Sequence, residues 1–252
     1  MSIIVLTSAS GSPGVTTTTL GLACTWTGPA IAVEADPVGG SAMLAGFFRG
    51  FEAPRPSAVD LLLAERAGRL AERFSDTLIP IESTEAAILP GPRSHAQAHN
   101  ALDIWEPLSL VWRAQADQTV FVDAGRLGME SYPESLLRLA DLVLLVTNSN
   151  LPGLAAAKQW AERASHTRQL QPEGPRWAVI LVGPGQPYAA REVSAVLGLE
   201  VLACLSDDRR GAARYSQGTN PLRRTALTRD LPRCGAAIRA RLAETHPPQE
   251  TR

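Results

Sequence analysis

Lysine is almost missing from this chain of 252 residues, in which Lys158 is the only one and arginine supplies nearly all the positive charge. Cysteine is also scarce: Cys24, Cys204 and Cys234 are far apart and show no C-x-x-C spacing, which argues against a disulfide framework or a zinc site. The chain contains no run of about 18 apolar residues and no basic segment leading into an apolar leader. These absences predict a protein of the reducing cytoplasm that is neither secreted nor membrane-spanning.

The overall composition is that of a globular protein. Hydrophobic residues make up 45% and charged residues 19% of the chain, which argues against disorder. The length allows one large α/β domain or two small ones. Because no break in composition divides the chain, we expect a single domain over residues 1–245 and a flexible tail over residues 246–252.

Short apolar runs alternate with amphipathic segments along the chain. The runs contain few polar residues, which is typical of parallel strands buried on both faces. The sequence therefore predicts an α/β protein with a three-layer, doubly wound, mainly parallel sheet and helices on both faces. The main predicted strands are 3–7, 30–36, 119–123, 142–147, 177–182 and 201–205, and the long predicted helices are 15–25, 58–74, 101–116 and 152–168.

The segment after the first predicted strand has the scaffold of a phosphate-binding loop. Against G-x-x-x-x-G-K-[ST], residues 11–18 keep the first glycine and the final threonine, but Thr16 stands at the second glycine and Thr17 at the lysine. A helix N-terminus favours anions whatever its side chains, although the threonines would alternatively cap their own helix. The predicted cofactor-binding residues are Gly11, Ser12, Pro13, Gly14, Val15, Thr16, Thr17, Thr18 and Thr19.

Two acidic residues follow predicted strands at the same edge of the sheet, where ligands bind in such folds. A nucleotide site needs a hydroxyl and a carboxylate for Mg²⁺, for which Thr18 and Asp123 are the candidates. Asp36 is the candidate catalytic residue, because a second carboxylate there would orient water. The alternative is that both carboxylates end their strands without holding a metal.

This combination resembles the ParA/MinD family of P-loop ATPases, and the resemblance extends from residue 3 to about residue 221. The family's deviant loop, K-G-G-x-G-K-[ST]-[ST], falls on residues 12–19. Its strand ending D-x-D-P-x-G is matched by Glu34-Ala35-Asp36-Pro37-Val38-Gly39, and residues 140–158 and 192–221 follow the family's order. The resemblance implies a P-loop NTPase fold, ATP and Mg²⁺ as cofactors, and a homodimer.

The chain departs from the family at the active site. Ser12 replaces the signature lysine, Thr17 replaces the Walker lysine, and Gly125 stands where the family has proline in D-x-P. Losing one charge-assisted phosphate contact costs roughly 1.5–3 kcal/mol of binding. Losing one preorganised transition-state donor costs roughly 10²–10³ in rate.

We therefore expect weak or no ATP hydrolysis, with ATP and Mg²⁺ bound weakly and not required. The adenine-reading asparagine of the family would fall near Gly183, which offers no side chain. An arginine from elsewhere, for instance Arg126 or Arg209, placed beside Thr17 with bound Mg²⁺ and nucleotide would overturn the expectation and restore an ATPase.

Arginine also clusters near the C-terminus, where it outnumbers the acidic residues between positions 206 and 245. Such an imbalance indicates either an electrostatic surface for nucleic acid or a protein partner, or simply a solvated helical face. The candidate DNA or partner surface comprises Arg209, Arg210, Arg214, Arg223 and Arg224.

The resemblance implies a positioning or scaffolding protein, similar to the TadZ/CpaE branch, that places a pilus, secretion or other polar assembly through a protein partner. It would work in the cytoplasm, at the membrane periphery or at the nucleoid. The alternative is an active chromosome- or plasmid-partitioning ATPase that holds DNA nonspecifically through its arginines. A metabolic P-loop enzyme is a third class, but no substrate motif supports it.

Overall fold

The computed structural model describes residues 1–50, 57–115, 117–219 and 224–245. Within these residues a single sheet is built from eight strands. They are β1 (Ser2–Ser8), β2 (Ala30–Glu34), β3 (Ile79–Pro80), β4 (Ala86–Leu89), β5 (Thr119–Arg126), β6 (Leu142–Asn148), β7 (Arg176–Val182) and β8 (Val201–Leu205). Their order across the sheet is β3-β4-β2-β5-β1-β6-β7-β8, and every adjacent pair is parallel except β3 and β4.

Helices cover both faces of this sheet. They are α1 (Val15–Thr25), α2 (Ala58–Arg66), α3 (Leu70–Thr77), α4 (His95–Asn100), α5 (Trp105–Arg113), α6 (Glu134–Leu139), α7 (Leu151–Leu170), α8 (Ala190–Leu197), α9 (Arg209–Gln217) and α10 (Ala226–Thr245). A π-helical turn, Met43–Phe47, and a 3₁₀ turn, Leu102–Ile104, complete the described helical structure. None of the described helices is long and apolar enough to cross a bilayer.

The two faces of the central strand β1 pack against different sets of helices, which gives the fold three layers. Ile3 and Val5 of β1 belong to a core cluster shared with α2, α3, α5, α6, α7 and α8. Ile4 and Leu6, which point to the opposite face, belong to a second cluster shared with α1, α9 and α10. Because both faces are buried, the four residues 3–6 in the middle of the strand are all apolar. The predicted three-layer α/β fold with a mainly parallel sheet is confirmed.

Two of the long predicted helices differ from the structure by more than two residues at an end, whereas the helix predicted over 152–168 is α7 (Leu151–Leu170). The helix predicted over 58–74 is wrong as a single element, because Gly68 adopts φ +67° and separates α2 from α3. A left-handed glycine is a common helix terminator. The helix predicted over 101–116 starts later, with Trp105 as the first residue of α5 after the 3₁₀ turn, and its predicted last residue lies outside the described residues.

β5 continues three residues past the predicted strand end at Asp123. Arg126 pairs with Ser8 of β1, and the Leu127 amide donates to the Ser8 carbonyl at 2.8 Å. The last residue of β5 therefore lies beside the start of the loop that joins β1 to α1. Residues 246–252, for which we predict a flexible tail, lie outside the described residues.

Candidate functional site

The loop between β1 and α1 turns sharply into the helix. Gly14 adopts φ +96° and Ser12 adopts φ +51°, both in the left-handed region. The Gly14 carbonyl accepts the Thr18 amide at 2.9 Å, so that α1 begins directly after Gly14. The loop therefore brings the N-terminus of α1 to the carboxyl edge of the central strand.

The amides of this loop are available as donors. Within the described part of the chain, no acceptor is bonded to the amides of residues 11, 12, 14, 15, 16 and 17. No side chain caps α1, and its first turn carries no acidic residue. The alternative in which the threonines cap their own helix is therefore not what the structure shows. Successive free amides at a helix N-terminus form a concave anion site.

A cavity of about 520 Å³ lies against the loop. This volume is within the range typical of small-molecule sites. The predicted residues Thr18 and Thr19 do not line it, because both are buried on α1, and neither does Asp123. The residues that do line it are Ser8, Gly11, Ser12, Pro13, Gly14, Val15, Thr16, Thr17, Asp36, Val38, Ala42, Gly125, Arg126, Met129 and Ser216.

Asp123 lies beneath this cavity, with 1% of its surface exposed. Its Oδ2 accepts the Thr16 hydroxyl at 2.5 Å, and its Oδ1 accepts the Gly125 amide at 3.0 Å. Burial raises the pKa of Asp123 to about 7, the Thr16 hydrogen bond opposes this rise, and the charge of Asp36 adds to it. The hydroxyl in contact with this carboxylate is thus that of Thr16, which sequence reasoning did not connect with Asp123.

Asp36 packs directly on Gly125, the second-last residue of β5. A Cβ added to Gly125 would lie 2.5 Å from the Asp36 Cγ, and Gly125 adopts φ +67°. The Asp36 Oδ1 also accepts the Val38 amide at 2.9 Å, which closes the turn after β2. Glycine in place of the family's proline is therefore what allows the Asp36 carboxylate to approach the backbone here.

Glu34 is a buried carboxyl at the same edge whose role the sequence did not reveal. Its carboxylate oxygens accept the Ser41 hydroxyl at 2.5 Å and the amides of Met43 and Gly91 at 3.2 Å each. Burial raises its pKa. The sequence feature that signals this role is an acidic residue at the end of an otherwise apolar strand. Glu34 joins β2 to the π-helical turn and to the segment after β4.

The described arginines of the predicted surface are exposed, and none of them lines the cavity. Arg209 and Arg210 are exposed in the first turn of α9, whereas Ser216 in its last turn lines the cavity. The Arg214 guanidinium lies 6.0 Å from the ring of Tyr215. Arg224 is exposed, and Arg223 lies outside the described residues. Of the two arginines considered as replacement cations, Arg126 lines the cavity and Arg209 does not.

The donor set fits a phosphate ester with magnesium. The described residues contain no group of three or more His, Cys, Asp or Glu side chains arranged to hold a metal ion. Mg²⁺ commonly needs only one or two protein ligands, since water and phosphate oxygens complete its shell. Asp123 and a loop hydroxyl satisfy that minimum, and the free amides suit phosphate oxygens.

Comparisons with known proteins identify the fold. No protein-family model and no curated protein sequence matches this chain. The cell division ATPase MinD of Pyrococcus furiosus superposes with a TM-score of 0.73 at 18% identity, over 95% of this chain and 98% of that one. Septum site-determining protein MinD of Pyrococcus horikoshii, complexed with Mg-ADP, gives 0.71 at 18% identity, over 94% and 95% of the two chains.

A ParA family ATPase from Chlorobium tepidum gives a TM-score of 0.72 at 15% identity, over 93% of this chain and 97% of that chain. At these identities the similarity establishes the fold alone. The eight-stranded order and the loop between β1 and α1 agree with it. This chain therefore has the fold of the MinD and ParA P-loop ATPases.

Proposed function

We propose that this protein is a ParA/MinD-like positioning or scaffolding factor that binds ATP with Mg²⁺ weakly and hydrolyses it little or not at all. The observation that carries the proposal is the cavity at the N-terminus of α1, which is lined by a phosphate loop with Ser12 and Thr17 at the lysine positions. The fold and the free amides support binding. The absence of both lysines argues against turnover.

Binding would rest on groups that need no lysine. The loop amides and the dipole of α1 would hold phosphate oxygens, and Mg²⁺ would be held by Thr18 or Thr16 together with Asp123. When bound, the metal would neutralise phosphate charge. Asp36 lines the cavity and would orient a water molecule there. The cavity volume of about 520 Å³ supports a ligand of nucleotide size.

ATP hydrolysis needs positive charge that stabilises the phosphoryl group in the transition state of its transfer. Removing one preorganised donor typically lowers the rate by about 10²–10³, and this loop lacks two cations of the family. Their combined loss supports the assignment of a binding protein more than an enzyme. Such a protein would act as a homodimer that binds a protein partner. It would place a pilus, secretion or other polar assembly, and it would work in the cytoplasm or at its boundary.

The proposal is tested by measuring binding and hydrolysis separately. We expect Mg-ATP to raise the melting temperature of the protein modestly, because a ligand that binds only the folded state stabilises it. We expect phosphate release to remain at the background rate. Sedimentation with and without Mg-ATP would report whether the homodimer depends on nucleotide.

The double variant Ser12→Lys with Thr17→Lys is the matched control. It returns both lysines to the same loop, so that its phosphate release should exceed that of the wild type. Release well above background by the wild-type protein would contradict the proposal and favour an ATPase. Absence of any nucleotide binding would contradict the role given to the loop.

A DNA-partitioning ATPase is the second candidate, and the exposed arginines of α9 favour it. Arg209, Arg210 and Arg224 are exposed, and such residues bind DNA phosphates without sequence preference. Under this function the affinity for duplex DNA falls steeply with salt. Charge reversal at Arg209 and Arg210 should then abolish binding, while reversal of the exposed Arg66 on α2 should not.

A further inference from the structure

Arg126 is a cation at the candidate site that the phosphate-loop pattern does not include. It is the last residue of β5, it is exposed, and it lines the same cavity as Thr17. The pairing of Arg126 with Ser8 and the bond from the Leu127 amide to the Ser8 carbonyl fix its backbone beside the start of the loop. Its position is therefore set by the central sheet and not by a surface loop.

No other side chain in the described part of the chain neutralises the charge of Arg126. Among the described residues, Arg126 forms no ion pair with a carboxylate. Its Nη2 lies 2.9 Å from the sulfur of Met129, which also lines the cavity. A thioether is a weak acceptor without charge. The contact therefore orients the guanidinium and leaves its charge available to a stronger acceptor.

The carboxylates near the cavity already have other donors. Asp36 accepts the Val38 amide, and Asp123 accepts the Thr16 hydroxyl and the Gly125 amide. A guanidinium presents a planar fork of donors that matches a phosphate group in two bonds. The loop amides and Arg126, which line the same cavity, thus offer complementary donors to one polyphosphate.

We propose that Arg126 binds the phosphates of the nucleotide and supplies the positive charge that the loop lost with its lysines. This inference rests on the proposed nucleotide binding and names the residue that makes it possible. The arginine comes from the end of β5 and not from the loop or α1, although it lines the same cavity as Thr17. The proposed role is in binding, and phosphate release by the wild type that is lost in Arg126→Ala would show that Arg126 has instead restored an ATPase.

The test compares Arg126→Ala and Arg126→Lys with the wild type by calorimetric titration of Mg-ATP and of inorganic pyrophosphate. We expect Arg126→Ala to weaken both affinities roughly ten- to a hundredfold, as expected for the loss of a charge-assisted bond. Arg126→Lys should fall between, since it keeps the charge without the fork. Arg191→Ala, which removes an exposed arginine of α8, is the matched control and should bind as the wild type does.

The results of this test distinguish the role of Arg126 from the proposed nucleotide binding on which it rests. If the wild type binds neither ligand, the proposed nucleotide site is wrong and the role of Arg126 falls with it. If the wild type binds and Arg126→Ala binds equally well, only the role of Arg126 is overturned. Urea unfolding of each variant distinguishes a loss of affinity from a loss of folding. Adding Thr17→Lys to Arg126→Ala should recover binding.

Discussion

Replacing the buried Asp123 by asparagine should stabilise the protein at alkaline pH in the absence of nucleotide and metal. The carboxylate is buried, and burial disfavours its charged form more than its two hydrogen bonds favour it. Asparagine keeps both bonds, because its carbonyl accepts the Gly125 amide while its amide donates to the Thr16 hydroxyl. The substitution therefore removes the charge and retains the geometry.

The size of the effect follows from the pKa. A rise from 3.8 to about 7 corresponds, at about 1.4 kcal/mol per pH unit, to an upper bound of about 4 kcal/mol for the cost of ionisation in the fold. Since the folded pKa of this acid is raised, its contribution to stability is fully present below the unfolded pKa. It is lost as the pH rises through the folded pKa of about 7.

Urea unfolding at several pH values between about 4 and about 8 measures this effect. We expect the free energy of unfolding of Asp123→Asn to exceed that of the wild type at the upper end, with the difference shrinking toward the lower end. Asp103→Asn, at an exposed position, is the control and should follow the wild-type curve. Parallel curves for Asp123→Asn and the wild type would refute the burial argument.

Two further predictions concern the same edge of the sheet. Gly125→Ala should lower the free energy of unfolding by about 1–3 kcal/mol in urea, since it combines φ +67° with a Cβ 2.5 Å from the Asp36 Cγ. Gly185→Ala, at φ +80° with nothing within 4 Å, should cost less, and equal losses would contradict the steric argument. Removing Mg²⁺ with EDTA should weaken ATP binding at least about tenfold in calorimetry, because Asp36 and Asp123 repel bare phosphates. Unchanged affinity would show that the metal is not involved.

The fold was predictable because its strands are buried on both faces. A strand such as β6 has five consecutive buried residues, 142–146, that are all apolar, and this pattern is visible in the sequence alone. The order of such strands and of the helices between them then leaves few topologies. The element bounds were less predictable, since Gly68 ends α2 within an otherwise continuous amphipathic pattern.

The site was predictable where it depends on the backbone and not where it depends on side chains meeting across the fold. The loop over residues 11–17 lines the cavity as its glycines and its position after β1 indicate. The bond between Thr16 and Asp123 joins residues 107 positions apart, and nothing local to either one signals it. The burial of Glu34 likewise depends on Ser41, Met43 and Gly91, which contact it only after folding.

The charges at this edge of the sheet suit holding a nucleotide better than hydrolysing one. Amides that contact phosphate oxygens equally before and during transfer aid binding without lowering the barrier. A lysine in the loop differs, since its positive charge stabilises the negative charge that develops on the phosphate oxygens during transfer. In the proposed role, Arg126 would replace that charge from β5, beside the start of the loop, and would neutralise the phosphates of the bound nucleotide. The presence of Ser12 and Thr17 at the two lysine positions therefore separates nucleotide binding from hydrolysis, which a phosphate loop normally combines. Under the proposed function, the groups that remain support binding alone.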